Sequence, residues 1–118
     1  MATGKTQVAG NRDVAVAIND SLNVAGDLTV QVGRNSHLTV TDNHTQTAKK
    51  NLTVQANKHL KLIAGDSLEL VCGDASIVLK KDGSIVIKGK DITLDGSGKI
   101  NVKAAGDVVM KGSKILNN

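Results

Sequence analysis

Apolar residues recur along this chain in pairs two positions apart, and the pairs recur about every eight residues. The series runs Val14/Val16, Leu22/Val24, Val30/Val32, Leu38/Val40, Leu52/Val54, Leu60/Leu62 and Leu68/Leu70. It continues through Ile77/Leu79, Ile85/Ile87, Ile92/Leu94, Ile100/Val102 and Val108/Met110, with Thr6/Val8 before it and Ile115 after it. Two steps of seven separate Leu38 from Leu52, a step of nine leads into Ile77, and steps of seven lead into Ile92 and Ile115. A spacing of two puts both members of a pair on one face of a strand, because successive side chains alternate. The residue between them then faces out, and in most repeats it is polar: Asn23, Gln31, Thr39, Gln46, Thr53, Lys61, Glu69, Thr93 and Asn101. Helix is excluded locally, since the apolar positions do not follow the i, i+3, i+4, i+7 pattern and the glycines would break it. These pairs are the expected structural core of an all-β fold.

Two residues beyond most pairs stands a small residue: Gly10, Gly26, Ala56, Ala64, Cys72, Gly89, Gly96, Ala104 or Gly112. A small side chain lets the chain turn where the inward face would otherwise clash, so these are expected corners. Gly26-Asp27, Gly65-Asp66, Gly73-Asp74 and Gly106-Asp107 add turn chemistry. Asp82-Gly83 between alternating hydrophobics is also a hairpin signal. The nine-residue step before it and the seven-residue step after it cancel, which favours a bulged corner inside the repeat. Residues 6–118 are thus expected to form about fifteen octads of one strand and one corner, and residues 1–5 a linker or added start.

Octads of this kind close in two ways. One chain can wind a triangular solenoid at three octads per coil, or three chains can intertwine so that each layer holds one strand from each. Composition bears on the choice. The 118 residues include no Phe, Trp, Tyr or Pro. In a threefold assembly every inward side chain meets two copies of itself, so any enlargement is tripled within one layer, and a single overpacked site already costs ~1–3 kcal/mol. A solenoid could offset one ring with two small neighbours. The absence of rings therefore favours an intertwined homotrimeric triple-stranded β-helix, a prism of about fifteen layers and roughly 70 Å at ~4.8 Å per layer. Absence of Pro fits strands whose every N–H is needed for pairing.

Charge adds little. The net charge of +4 is spread evenly, +2 in each half, with no basic stripe and no interleaved aromatics, so no nucleic-acid partner is expected. No apolar run approaches the ~18 residues of a membrane-spanning helix, and no signal-peptide pattern opens the chain. The single cysteine, Cys72, cannot form an intrachain disulfide and is expected as a small buried hydrophobe.

The octads, together with ASIVLKKDGSIVIKGKDITLDGSGKI over residues 75–100 and the close MKGSKILNN, resemble the carboxy-terminal needle of VgrG. That family is the valine-glycine repeat spike of bacterial type VI secretion systems, related to the central spikes of contractile phage tails. The resemblance covers essentially the whole chain; the family's larger amino-terminal parts have no counterpart in it. It implies a homotrimeric cell-puncturing device, assembled in the bacterial cytoplasm and then driven through the envelope into a target cell. It also implies a PAAR-type tip protein or effector bound at the end, here Ile115, Leu116, Asn117 and Asn118, and transient contact with the target envelope. Some phage spikes hold iron through a His-x-His pair near the apex. This chain has no such pair and no histidine after His59, which implies an end without metal.

Chemistry elsewhere is sparse. No catalytic residues are proposed by spacing, no cofactor is expected, and the chain is expected not to be an enzyme, because octads leave almost no loop on which to build a groove. His37, His44 and His59 each precede an inward position and are expected at equivalent exposed corners. Thr45 and Thr47 interrupt the aliphatic columns. Either they face the axis, forming a polar site for water or an anion, or a register slip turns them outward.

Overall fold

The computed structural model describes residues 3–118; Met1 and Ala2, the beginning of the expected linker start, lie outside them. The described residues are all-β, with no helix. The chain falls into two units, divided between Asn51 and Leu52. In the first, extended segments alternate with bends at residues 9–10, 17–18, 25–26, 33–34, 41–42 and 49–50. The spacing is eight throughout.

The second unit begins in the same way, with bends at 57–58 and 65–66, and then changes. Three strands, β1 (Ser67–Cys72), β2 (Ala75–Lys80) and β3 (Ile85–Lys88), form an antiparallel sheet in the order β1-β2-β3. Gly73-Asp74 joins the first two as a two-residue loop, with Cys72 opposite Ala75. Gly73 has φ 56° and no described residue other than glycine has positive φ, the signature of a type II′ turn with glycine first. The second connection is a three-residue loop. Gly83 N–H donates to Lys80 C=O at 3.0 Å, Lys80 N–H donates to Ser84 C=O at 2.9 Å, and Gly83 has φ 92°. That is a type I turn closed by a glycine bulge. The hairpin signal at Asp82-Gly83 was therefore correct and the corner expected there is overturned: the chain reverses.

The nine-residue step into Ile77 belongs to the two-residue turn, across which Leu68 and Leu70, at even positions, face Leu79 and Ile77, at odd ones. Beyond the bulge the next bend lies at 90–91, nine after the turn at 81–82, and a step of seven restores the frame at 97–98, 105–106 and 113. The seven-residue steps between Leu38 and Leu52 have a different origin. Bends at 41–42, 49–50 and 57–58 keep their eight-residue spacing while the aliphatic pair moves two positions earlier against them. Leu38 and Val40 abut their bend, whereas Gln55 and Ala56 intervene between Val54 and the next one.

Two local features of the second unit are testable. Asp82 accepts a hydrogen bond from the Ser84 N–H at 3.0 Å, closing the loop. The Ser84 backbone N–H, then its hydroxyl, hold the Asp82 carboxyl below its ordinary 3.8. A depressed carboxyl stabilises the fold above its unfolded value, and that contribution is lost as pH falls through the lowered one. The Ser84 amide shift is expected to titrate with a midpoint below 3.8, and Asp82→Ala to remove that titration in NMR spectra. At the bend after Leu94, a Cβ on Gly96 would lie 2.9 Å from Ile100 Cγ1, whereas one on Gly98 would meet nothing within 4 Å. Gly96→Ala is therefore expected to cost ~1–3 kcal/mol per chain through overpacking. Gly98→Ala should be neutral or stabilising by up to ~1 kcal/mol, because it restricts the unfolded chain. Thermal unfolding of the two variants checks the contrast.

Candidate functional site

The aliphatic columns have no cover within the chain. None of the described residues is buried, and the surface totals 13,417 Å². A compact folded monomer of this mass exposes about 6,100 Å² and its unfolded chain about 17,700 Å². In the first unit the valines beside the bends, Val16, Val24, Val32 and Val40, are 43–50% exposed, while Val14, Leu22, Val30 and Leu38 are 66–77% exposed. The bend shields its neighbour, and nothing shields the residue two before.

The aliphatic pairs of the second unit are open in the same way. Val54, which no bend adjoins, is 64% exposed, and Leu52, Leu60 and Leu62 are exposed beside it in the sequence. Leu70, Ile77, Leu79, Ile85 and Ile87 in the sheet are exposed too, as are Ile92, Leu94, Ile100, Val102, Val108 and Met110 beyond it. Leu68 alone among the paired residues is half-buried. Cys72, expected to be buried, is also exposed. The physical reason is common to all of them: a strand has two faces, and among the described residues no second layer lies over either. Within one chain these positions are open apolar pairs and not a buried core.

Backbone pairing is equally uneven. Among the described residues, the hydrogen bonds between strands and across turns all lie within residues 66–88, ending with Lys81 N–H to Asp66 C=O at 2.9 Å. The extended segments elsewhere have none. Among the described residues no strand pairs with one three octads away, as the coils of a single-chain solenoid would.

In the sheet, the register places the expected core pairs together. Leu68 faces Leu79 and Leu70 faces Ile77; Ile77 in turn faces Ile87, and Leu79 faces Ile85. Cys72 and Ala75 complete the same face. The opposite face carries Ser67, Glu69, Val71, Ser76, Val78, Lys80, Val86 and Lys88. One side is wholly apolar and the other mixed. Cys72 and Ala75 were missed as members of this face; the Gly73-Asp74 turn between them was the available signal.

The remaining expected positions separate. Gly10 and Gly26 lie in bends, and Gly89, Gly96 and Gly112 each stand immediately before one. The bend frame makes Thr47 equivalent to Thr39 and Gln31, on the polar side of the alternation, and places Gln46 and Ala48 where Leu38 and Val40 stand an octad earlier. His37, His44 and His59 precede their bends by four, five and six residues, so they do not share one corner position. The even offsets put His37 and His59 on one side of the alternation, and the odd one puts His44 on the other. Among the described residues no three His, Cys, Asp or Glu side chains gather as a metal site. Ile115 and Leu116 follow the bend at 113 and are both exposed.

Two open hollows flank the sheet. One is lined by Leu62, Ala64, Asp66, Leu68, Leu79 and Lys81 among others, the second by Asp74, Ile87, Lys88, Gly89, Lys90 and Ile92. Each joins the apolar face to the adjoining octad. What the surface can do chemically is therefore associate: it offers aliphatic area and unpaired backbone groups. No protein-family model matches the chain, and no curated protein does.

Proposed function

We propose that three copies of this chain intertwine into a triple-stranded β-helical needle, and that the needle is the cell-puncturing spike of a type VI secretion system. The observation that carries the assembly is the exposed surface. One chain of 12.2 kDa exposes 13,417 Å², more than twice the about 6,100 Å² of a compact monomer of that mass, and association with further copies would remove the excess. Octad bends supply the geometry, since a bend every eight residues returns each strand to a neighbouring chain in the next layer. Unpaired N–H and C=O groups outside residues 66–88 then find partners between chains, which buried backbone requires. Columns such as Leu52/Val54 and Leu60/Leu62, open in one chain, become the interior of the three.

The spike assignment rests on the KKDG and IVIKGK motifs and on mechanics. A narrow rod without free sheet edges along its length transmits axial load from a contracting sheath, and it acts by force and not by catalysis. A central spike of a phage-tail-like particle would use the same structure. Sedimentation of the purified chain tests the assembly: a particle of about three chain masses supports it, and a monomer overturns it. Deletion of Ile115, Leu116, Asn117 and Asn118 is expected to abolish binding of a PAAR-type tip protein while leaving the trimer mass unchanged. Pull-down of that protein by the shortened chain at full strength would refute the tip assignment alone.

A further inference from the structure

The sheet of residues 66–88 differs from every other part of the chain in one respect: it satisfies its strand hydrogen bonds by itself. The extended octads need other chains before any interstrand bond can form. The sheet needs only a two-residue and a three-residue loop, closures of small sequence separation, and hairpins form in ~1–10 μs. It can therefore exist, at least transiently, in a single unassembled chain. Its apolar face has nothing to pack against there and stays in water, which leaves it open to a partner.

The occupant of that face is a further copy of the same chain. No segment of the chain covers it, since Leu70, Ile77, Leu79, Ile85 and Ile87 all remain exposed. It carries no charge, whereas Glu69, Lys80 and Lys88 all stand on the opposite side. Three such sheets packed face inward would keep every one of those charges in water. The face is also continuous, through the two flanking hollows, with Leu62 on one side and Ile92 on the other, members of the columns assigned to the interior.

We propose that this apolar face is where three copies first meet, so that residues 66–88 nucleate the needle and set the register of the octads on both sides. This rests on the trimeric assembly proposed above. Octads alone specify register weakly: a slip of one whole octad matches the same pattern to itself. The sheet occurs once per chain, has two antiparallel pairings fixed by its turns, and can meet its copies in one alignment only.

Refolding of the full chain from denaturant tests this, with Cys72 as the probe, because the only thiol of the chain lies on the face in question. Quenched samples are labelled with a thiol reagent and their mass distribution is read in parallel. Protection of Cys72 is expected to rise together with the first appearance of trimer, and octad amides to become protected later in pulsed hydrogen exchange. Leu79→Ala is expected to slow assembly roughly tenfold with little change in dissociation, and Val102→Ala to do the reverse, as for residues inside and outside a nucleus. Where Leu79→Ala prevents folding altogether, the order of protection in the unsubstituted chain decides. Octad amides protected before Cys72, or equal slowing by both substitutions, overturns the nucleus while leaving the trimer standing. A chain that stays monomeric throughout overturns the trimer itself.

Discussion

Val40→Asp is expected to leave no assembled protein at micromolar concentration, whereas Thr39→Asp, one residue away, should assemble normally. Val40 stands immediately before the bend at 41–42 on the aliphatic side of the alternation, and Thr39 on the polar side. In the proposed needle the first substitution places three carboxylates in one interior layer. An effective penalty of several kcal/mol per buried ion, tripled, exceeds the ~5–15 kcal/mol by which whole domains are stable. The second adds three solvated charges. Size-exclusion chromatography with light scattering reads both, and equal behaviour of the two variants would show that the octads do not bury the face assigned to them.

The other large effect is kinetic. In the proposed needle, interchain pairing would leave no local opening through which one chain could leave, because each octad outside residues 66–88 would be held by neighbours above and below it. Unfolding must then be nearly global, and operational stability becomes a rate. The assembled needle is expected to run as a trimer in SDS at room temperature and to dissociate only on prolonged heating. An ordinary oligomer, held by faces and not by winding, would fall apart at once in the same detergent, and that outcome would remove the intertwined arrangement.

Much of this was legible from residue spacing, and the part that was not has a specific cause. Strand faces followed from pairs such as Leu68/Leu70 and Ile77/Leu79, because alternation has a period of two whatever the strands do next. The direction of the chain did not follow. Turns at 73–74 and 81–82 are eight residues apart and eight from the bend at 65–66, so a corner and a reversal leave the same period in the sequence. Only backbone conformation separates them: the positive φ of Gly73 and Gly83 belongs to reversals, while Gly10 and Gly26 turn corners without it. Burial was equally hidden. Val54 and Cys72 satisfy every sequence criterion for a core position and are exposed in the single chain. Alternation states which face of a strand is apolar and not what covers that face.

The displaced bend at 90–91 carries a consequence for how such a chain tolerates insertions and deletions. The two-residue turn at Gly73-Asp74 moves the aliphatic positions from even to odd numbers, and the seven-residue step into Ile92 moves them back, so the shift stays within the stretch between Leu70 and Ile92. A single-residue deletion inside that stretch would release it downstream. Because strands alternate with a period of two, an odd slip inverts every face beyond it. Ile100, Val102, Val108 and Met110 would all turn to water together, and Asn101 and Val109 would turn in. Lineages of such chains should therefore gain and lose length in whole octads or in compensated pairs, much as a coding sequence tolerates changes in threes.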